Sequence, residues 1–102
     1  MTESSAREQP GRRIVRLRIS GRVQGVWYRG WAVETARDLG LDGWVRNRGD
    51  GSVEAVVAGP RETVDRMIEA CRDGPSAARV NDIAVDAHSD EPEPGFRQLP
   101  TV

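Results

Sequence analysis

The order in which hydrophobic periodicities follow one another constrains the fold of this chain more than any other feature. Alternating apolar residues indicate half-buried strands, and apolar residues three and four apart indicate one-faced helices. The periodic segments run strand, helix, strand, strand, helix, strand, over residues 14–20, 29–39, 44–47, 52–58, 60–73 and 83–87. This order predicts an α+β fold of the ferredoxin-like type, a split βαβ arrangement with two helices on one face of a mainly antiparallel sheet. Residues 95–99 could add a short edge strand.

The length of 102 residues predicts a single domain. Residues 1–11 mix polar residues, proline and glycine without a period, so we expect a disordered N-terminal tail before one domain over residues 12–99. Cys71 is the only cysteine and His88 the only histidine. These counts exclude an internal disulfide, a thiolate metal cluster and a histidine-based zinc site.

The charge balance and hydropathy of the chain argue against several classes of partner. The formal net charge is −1, and no apolar run approaches the roughly 20 residues of a membrane span. The N-terminal residues also lack the apolar stretch of a secretory signal. Segments 14–20 and 52–58 lack the aromatic residues on which RNA-recognition motifs stack bases. We expect a cytoplasmic monomer that binds neither nucleic acid nor membranes.

The segment from Gly21 to Arg29 is the best candidate for an anion site. All fifteen basic residues are arginines, so a phosphate would be bound by arginine or by backbone N–H groups. The segment leads from a strand into a helix N-terminus, where N–H groups are unpaired and partly positive. Gly21 and Gly25 allow a concave ring of N–H donors, and Arg29 can add a two-pronged contact. From the residues alone, a simple turn with a solvated arginine is the more common outcome.

Two longer motifs contain this loop and an asparagine on the following hairpin. The first reads Ile-Ser-Gly-Arg-Val-Gln-Gly-Val-Trp-Tyr-Arg over residues 19–29, and the second reads Gly-Trp-Val-Arg-Asn over residues 43–47. Together they resemble the two signatures of the acylphosphatase family, and the likeness extends over residues 13–99. The resemblance implies a hydrolase that splits the carboxyl–phosphate bond of acyl phosphates into a carboxylate and inorganic phosphate. It also implies attack by water, without a metal, another cofactor or a covalent intermediate.

The resemblance assigns roles to individual residues. Arg29 would bind the substrate phosphate, and Asn47 would orient the attacking water. The N–H groups around the phosphate would be those of Gln24, Gly25, Val26, Trp27, Tyr28 and Arg29. The chain departs from the family at Tyr28, where phenylalanine is usual, and the added hydroxyl needs a partner if it is buried. Trp27 occupies a variable position, where its side chain could shape the substrate entrance.

Other interpretations remain open. Without the motif, Asn47 would be expected only to satisfy the backbone of the turn that follows it. The main alternative function is a catalytically silent module that binds phosphate or another anion but aligns no water. A second alternative is a regulatory or carbamoyl-phosphate-processing role, because similar domains occur within hydrogenase-maturation proteins. Cys71 is expected to be a buried structural thiol, and His88 is expected to lie at the surface.

Overall fold

A computed structural model describes residues 11–102, and its secondary structure follows the predicted order. The elements are β1 (Arg12–Arg22), α1 (Tyr28–Asp38), β2 (Asp42–Asn47), β3 (Val53–Pro60), α2 (Arg61–Asp73), β4 (Arg79–Ala87) and β5 (Phe96–Gln98). One sheet has the strand order β4-β1-β3-β2-β5. Only the β2–β5 pair is parallel; the other pairs are antiparallel. The ferredoxin-like α+β fold is confirmed, and the short edge strand expected over residues 95–99 is present as β5.

The core lies between the two helices and one face of the sheet. In β1, the alternating residues Val15, Leu17 and Ile19 are buried and contribute to a single apolar cluster, as their spacing predicts. Helix α2 contributes its apolar stripe, including Val64 and Met67, to the same cluster. Burial of this face therefore fixes both the strand registers and the positions of the helices.

The register brings the C-terminal ends of β1 and β2 to the same end of the sheet. Both strands run antiparallel to β3, so they are parallel to each other. Ile19 of β1 and Asn47 of β2 are both paired with Val53, at the start of β3. The loop that leaves β1 and the turn that leaves β2 are consequently neighbours in space.

Some element boundaries differ from the predictions. Strand β4 begins at Arg79, well before the predicted residue 83, because it is an edge strand in which only Ile83 is buried and its first half carries no alternating pattern. Pro60 was expected in the first turn of α2, but it is extended, with φ −57° and ψ 140°, and ends β3. Helix α2 therefore begins at Arg61.

Three further expectations concern single features. The predicted tail over residues 1–11 lies outside the described residues except for Gly11, whose carbonyl accepts a hydrogen bond of 2.7 Å from the N–H of Arg61. Cys71 is buried, as predicted. His88 lies at the surface, half-buried, and its N–H donates to the carbonyl of Ile14 in β1 at 3.1 Å. Neither described helix is long and apolar enough to cross a membrane.

Tyr28, the departure from the family pattern, is buried and has a hydrogen-bond partner. Its hydroxyl donates to the carbonyl oxygen of Cys71 at 2.6 Å. Cys71 lies in the last turn of α2, where carbonyl groups have no intrahelical donor. The contact thus links the start of α1 to the end of α2. Burial, and then the neighbouring Cys71, raise the pKa of Tyr28 above its ordinary value.

We expect Tyr28→Phe to lower the free energy of unfolding by about 1 kcal/mol, because it removes one buried hydrogen bond and leaves the Cys71 carbonyl without a donor. Urea unfolding at neutral pH measures this difference. Because the folded-state pKa of Tyr28 is raised, the wild-type advantage should shrink as the pH rises above the ordinary tyrosine value, where the unfolded chain ionises first. Equal stability of the two proteins at neutral pH would contradict the role given to the hydroxyl.

Candidate active site

The loop between β1 and α1 has the backbone geometry of an anion cradle. Gly25 has φ +76° and Trp27 has φ +68°, whereas Val26 between them does not enter the positive-φ region. This alternation turns successive N–H groups toward one side of the chain, which is the geometry of a backbone nest. A Cβ atom at residue 25 would have no neighbour within 4 Å among residues 11–102, so there is room for a side chain. Glycine is required there because of the positive φ angle.

The N–H groups of this loop have no partner within the part of the chain that the structure describes. From Gln24 to Gly30, none of them has a hydrogen-bond acceptor among residues 11–102, and the first helical bond is donated by Trp31 to the carbonyl of Trp27 at 3.1 Å. The first turn of a helix always leaves such groups, and the helix dipole adds partial positive charge. The loop therefore presents unpaired donors where an anion would be stabilised.

Trp27 keeps these donors free. It occupies the N-cap of α1, where serine, threonine, aspartate or asparagine would ordinarily accept hydrogen bonds from the first N–H groups. Trp27 makes no side-chain cap, and the first turn contains no acidic residue. Trp27 is also the only non-glycine residue with positive φ in the described part of the chain. That conformation costs about 1–2 kcal/mol for a bulky side chain, and such strain is concentrated at functional sites.

Arg29 lies in the first turn of α1, beside these N–H groups. Its side chain is half-buried, and it makes no hydrogen bond or ion pair within residues 11–102. Arg16 and Arg46, in contrast, both bind Glu54. The guanidinium of Arg29 is therefore available to an external anion, with five N–H donors in a planar fork that matches phosphate oxygens.

Asn47 ends β2 and is only 8% exposed. Its Oδ1 atom is buried and has no hydrogen-bond partner among the described residues. An unsatisfied buried amide oxygen is unusual and costs about 1–3 kcal/mol. Such an atom indicates a partner that the protein itself does not supply, such as water or a ligand.

The alternative role of Asn47, satisfaction of the turn backbone, is carried out by another residue. Asp50 Oδ1 accepts hydrogen bonds from the N–H of Ser52 at 2.9 Å and from its hydroxyl at 2.6 Å. The Asn47 side chain makes no such bond within residues 11–102. Its backbone is fixed separately, because the Asn47 carbonyl accepts the N–H of Val102 at 3.1 Å. The side chain is therefore not needed for the turn.

A cavity of about 190 Å³ brings these residues together. It is lined by Val23, Gln24, Gly25, Trp27, Tyr28, Arg29, Gly30, Asn47 and Gln98. All the residues to which the sequence assigned a site role border it except Val26, whose side chain packs against the apolar core. None of the lining residues has a carboxylate, and no cluster of potential metal ligands occurs among residues 11–102. The cavity thus combines N–H donors, one guanidinium and the side-chain amides of Gln24, Asn47 and Gln98.

The side chain of Gln24 has a second role that the sequence did not reveal. Its Nε2 atom donates to the carbonyl oxygens of Arg48 at 2.8 Å and Ser52 at 2.9 Å. These bonds attach the β1–α1 loop to the β2–β3 turn, directly after Asn47. They set the separation between the N–H groups and the Asn47 amide. Gln98 of β5 was also missed, because nothing near it in the sequence indicates that β5 lies beside β2.

Comparison with known proteins supports the resemblance found in the motifs. The acylphosphatase family model matches residues 15–98. An acylphosphatase from Rhodospirillum rubrum is 58% identical over 86 residues, which cover 84% of this chain and 94% of that protein. One from Rhizorhabdus wittichii is 53% identical, with 96% and 99% covered. The solved structure of an acylphosphatase from Coxiella burnetii has a TM-score of 0.84 at 30% identity, with 97% of this chain and 100% of that chain covered.

Proposed function

We propose that this chain, which belongs to the acylphosphatase family, hydrolyses acyl phosphates in the cavity formed by the β1–α1 loop and the end of β2. It is a hydrolase that releases a carboxylate and inorganic phosphate from a small acyl phosphate. The proposal assigns phosphate binding to Arg29 and the loop N–H groups, and it assigns positioning of the attacking water to Asn47.

The observation that carries the assignment is the buried, unpartnered Oδ1 atom of Asn47 in the same cavity as the free guanidinium of Arg29. An amide oxygen can accept a hydrogen bond from a water molecule and so fix its orientation. Pure phosphate binding would require donors, and an acceptor oxygen facing a phosphate would be repulsive. The pairing of these donors with the unpartnered Asn47 oxygen therefore favours a site that holds both a phosphoryl group and water.

The reaction then follows from position and charge. The N–H groups and Arg29 bind the phosphoryl oxygens and stabilise the charge on them in the transition state. The water held by Asn47 attacks phosphorus in line with the bond to the carboxyl oxygen; a P–O bond to water forms while the P–O bond to the acyl group breaks. The carboxylate leaves with the bonding electron pair, and it needs no strong acid because it is a stable anion. The water proton passes to a phosphoryl oxygen or to solvent, since no carboxylate lines the cavity.

The experiment is hydrolysis of benzoyl phosphate by wild type and Asn47→Ala, with EDTA present. We expect turnover by the wild type and a fall in kcat of about 10²-fold in the variant, the scale for losing one preorganised contact. Because Oδ1 has no partner among residues 11–102, Asn47→Ala should not lower the free energy of unfolding. Asn81→Ala is the matched control, since Asn81 lies exposed on β4, and its activity should equal that of wild type.

The same experiment distinguishes the alternative, a silent anion-binding module. A wild type that binds inorganic phosphate but releases none from benzoyl phosphate would support that module instead. Loss of activity in EDTA that added metal restores would contradict hydrolysis without a metal. The cytoplasmic location and monomeric state expected from the sequence stay predictions.

A further inference from the structure

Trp27 is unusually exposed to solvent for a tryptophan. Its side chain is 59% exposed, and the only other large exposed hydrophobic residue among residues 11–102 is Val102. Most large aromatic side chains are buried or nearly so. An exposed indole on a strained backbone at the border of a polar cavity indicates a contact surface rather than a part of the core.

The indole is held in one position by Gly30. A Cβ atom at residue 30 would lie 2.1 Å from Nε1, 2.6 Å from Cε2 and 2.8 Å from Cδ1 of Trp27. The pyrrole edge of the indole therefore rests directly on the backbone of the first turn of α1. The space that a side chain at residue 30 would fill is occupied by the ring, which fixes the ring beside the loop N–H groups.

The positions of the donors determine where the two halves of a substrate can lie. The phosphoryl group is drawn to the N–H groups and Arg29, so the acyl group projects away from them, toward the border of the cavity. Trp27 supplies the exposed aromatic surface at that border.

We propose that the indole of Trp27 is the acyl-group contact of this site and makes the chain prefer acyl phosphates with a flat aromatic or large apolar acyl group over acetyl phosphate. The inference rests on the proposed function, because it takes the phosphoryl position from it. Aromatic groups pack on one another in offset or edge-to-face arrangements, which a methyl group cannot match. Trp27 is thus a specificity-determining residue.

The test compares the ratio of kcat/KM for benzoyl phosphate to that for acetyl phosphate in wild type, Trp27→Gly and Gly30→Ala. Glycine tolerates the left-handed backbone of residue 27, removes the indole and adds no side chain that could cap the loop N–H groups. Gly30→Ala keeps the indole but displaces it from its contact with residue 30. Both variants should lower the ratio by about 3- to 10-fold, the scale of one aromatic contact. Trp44→Leu, which removes a tryptophan of β2 outside this cavity, should leave the ratio unchanged.

A binding measurement separates this inference from the proposed function. Phenacylphosphonate and acetonylphosphonate resemble benzoyl and acetyl phosphate but cannot be hydrolysed at the bridging position, so their dissociation constants report acyl contacts without turnover. We expect wild type to bind the phenacyl compound more tightly and Trp27→Gly to lose that preference. An unchanged preference in Trp27→Gly would overturn the role of Trp27 while leaving hydrolysis intact. A wild type that hydrolyses neither acyl phosphate, but shows the binding preference, would overturn the proposed function and retain the acyl-group contact.

Discussion

Arg29→Ala should lower kcat/KM for benzoyl phosphate by about 10³-fold, the range for losing an arginine that stabilises a phosphoryl transition state. The half-buried guanidinium of Arg29 has no acceptor within residues 11–102 and borders the cavity together with the unpaired N–H groups. Its removal takes away the only full positive charge among the residues that line the cavity. Since the arginine makes no contact that holds the fold, the free energy of unfolding should change by less than about 0.5 kcal/mol.

Arg29→Lys tests whether the planar geometry of the guanidinium or its positive charge contributes more to activity. Lysine keeps the charge but cannot make a two-pronged planar contact with phosphate, so we expect it to recover at most about one tenth of the wild-type activity. Inhibition by inorganic phosphate should weaken in both variants. Arg66→Ala is the matched control, because Arg66 is exposed on α2, away from the cavity. An Arg29→Ala enzyme that retains wild-type kcat/KM, or a loss of equal size in Arg66→Ala, would contradict the assignment.

The fold was predictable because burial of one sheet face dictates most of it. The alternation in β1 and the stripe on α2 each specify one apolar side, and those sides have few ways to cover each other. The boundaries that were missed lie where burial is weak. In β4 only Ile83 is buried, so its first residues show no pattern, and Pro60 takes an extended conformation because β3 continues to pair with Arg12.

The candidate site was predictable in its residue types and not in its contacts. The motifs pointed to Arg29 and Asn47, and the parallel ends of β1 and β2 explain how they meet. Asp50 satisfies the turn through local bonds to Ser52, an Asx-type turn that Asp50 could have suggested from the sequence. No sequence pattern reveals that Gln24 attaches the loop to that turn, because these hydrogen bonds are long-range and depend on the assembled sheet. The positive φ of Trp27 is equally hidden, because tryptophan does not favour that conformation.

Glu54 is a second functional feature that the sequence did not reveal. It lies in the middle of β3, on the face opposite the helices, since its neighbours Val53 and Ala55 belong to the core. Its side chain is 5% exposed and accepts hydrogen bonds from Arg16 at 2.5 Å, Arg46 at 2.8 Å and Arg48 at 2.9 Å. Burial alone would raise the pKa of Glu54, but the three arginines outweigh it and lower the pKa to about 2.

The three arginines connect Glu54 to the candidate site. Arg46 and Arg48 lie on either side of Asn47 in the chain, so the carboxylate fixes the backbone before and after that residue. Arg16 attaches the same carboxylate to β1, which leads into the β1–α1 loop. Glu54 therefore links the two strands whose ends carry the two sides of the cavity.

Glu54→Gln should lower the free energy of unfolding at neutral pH by about 3 kcal/mol, because three partly buried guanidinium groups lose their counter-charge at once. Since the folded-state pKa lies below the unfolded one, the carboxylate stabilises the protein fully above about pH 5 and loses that effect as the pH falls from there toward 2. Urea unfolding at pH 7 and pH 3 should therefore show a large difference in the free energy of unfolding between the two proteins that narrows in acid.

Glu69→Gln is the control, because Glu69 is 75% exposed in its pair with Arg72, and it should change stability by less than about 0.5 kcal/mol at either pH. If Glu54→Gln behaved like Glu69→Gln, the three-arginine contact would be a surface arrangement without structural consequence, and the position of Asn47 would need another explanation.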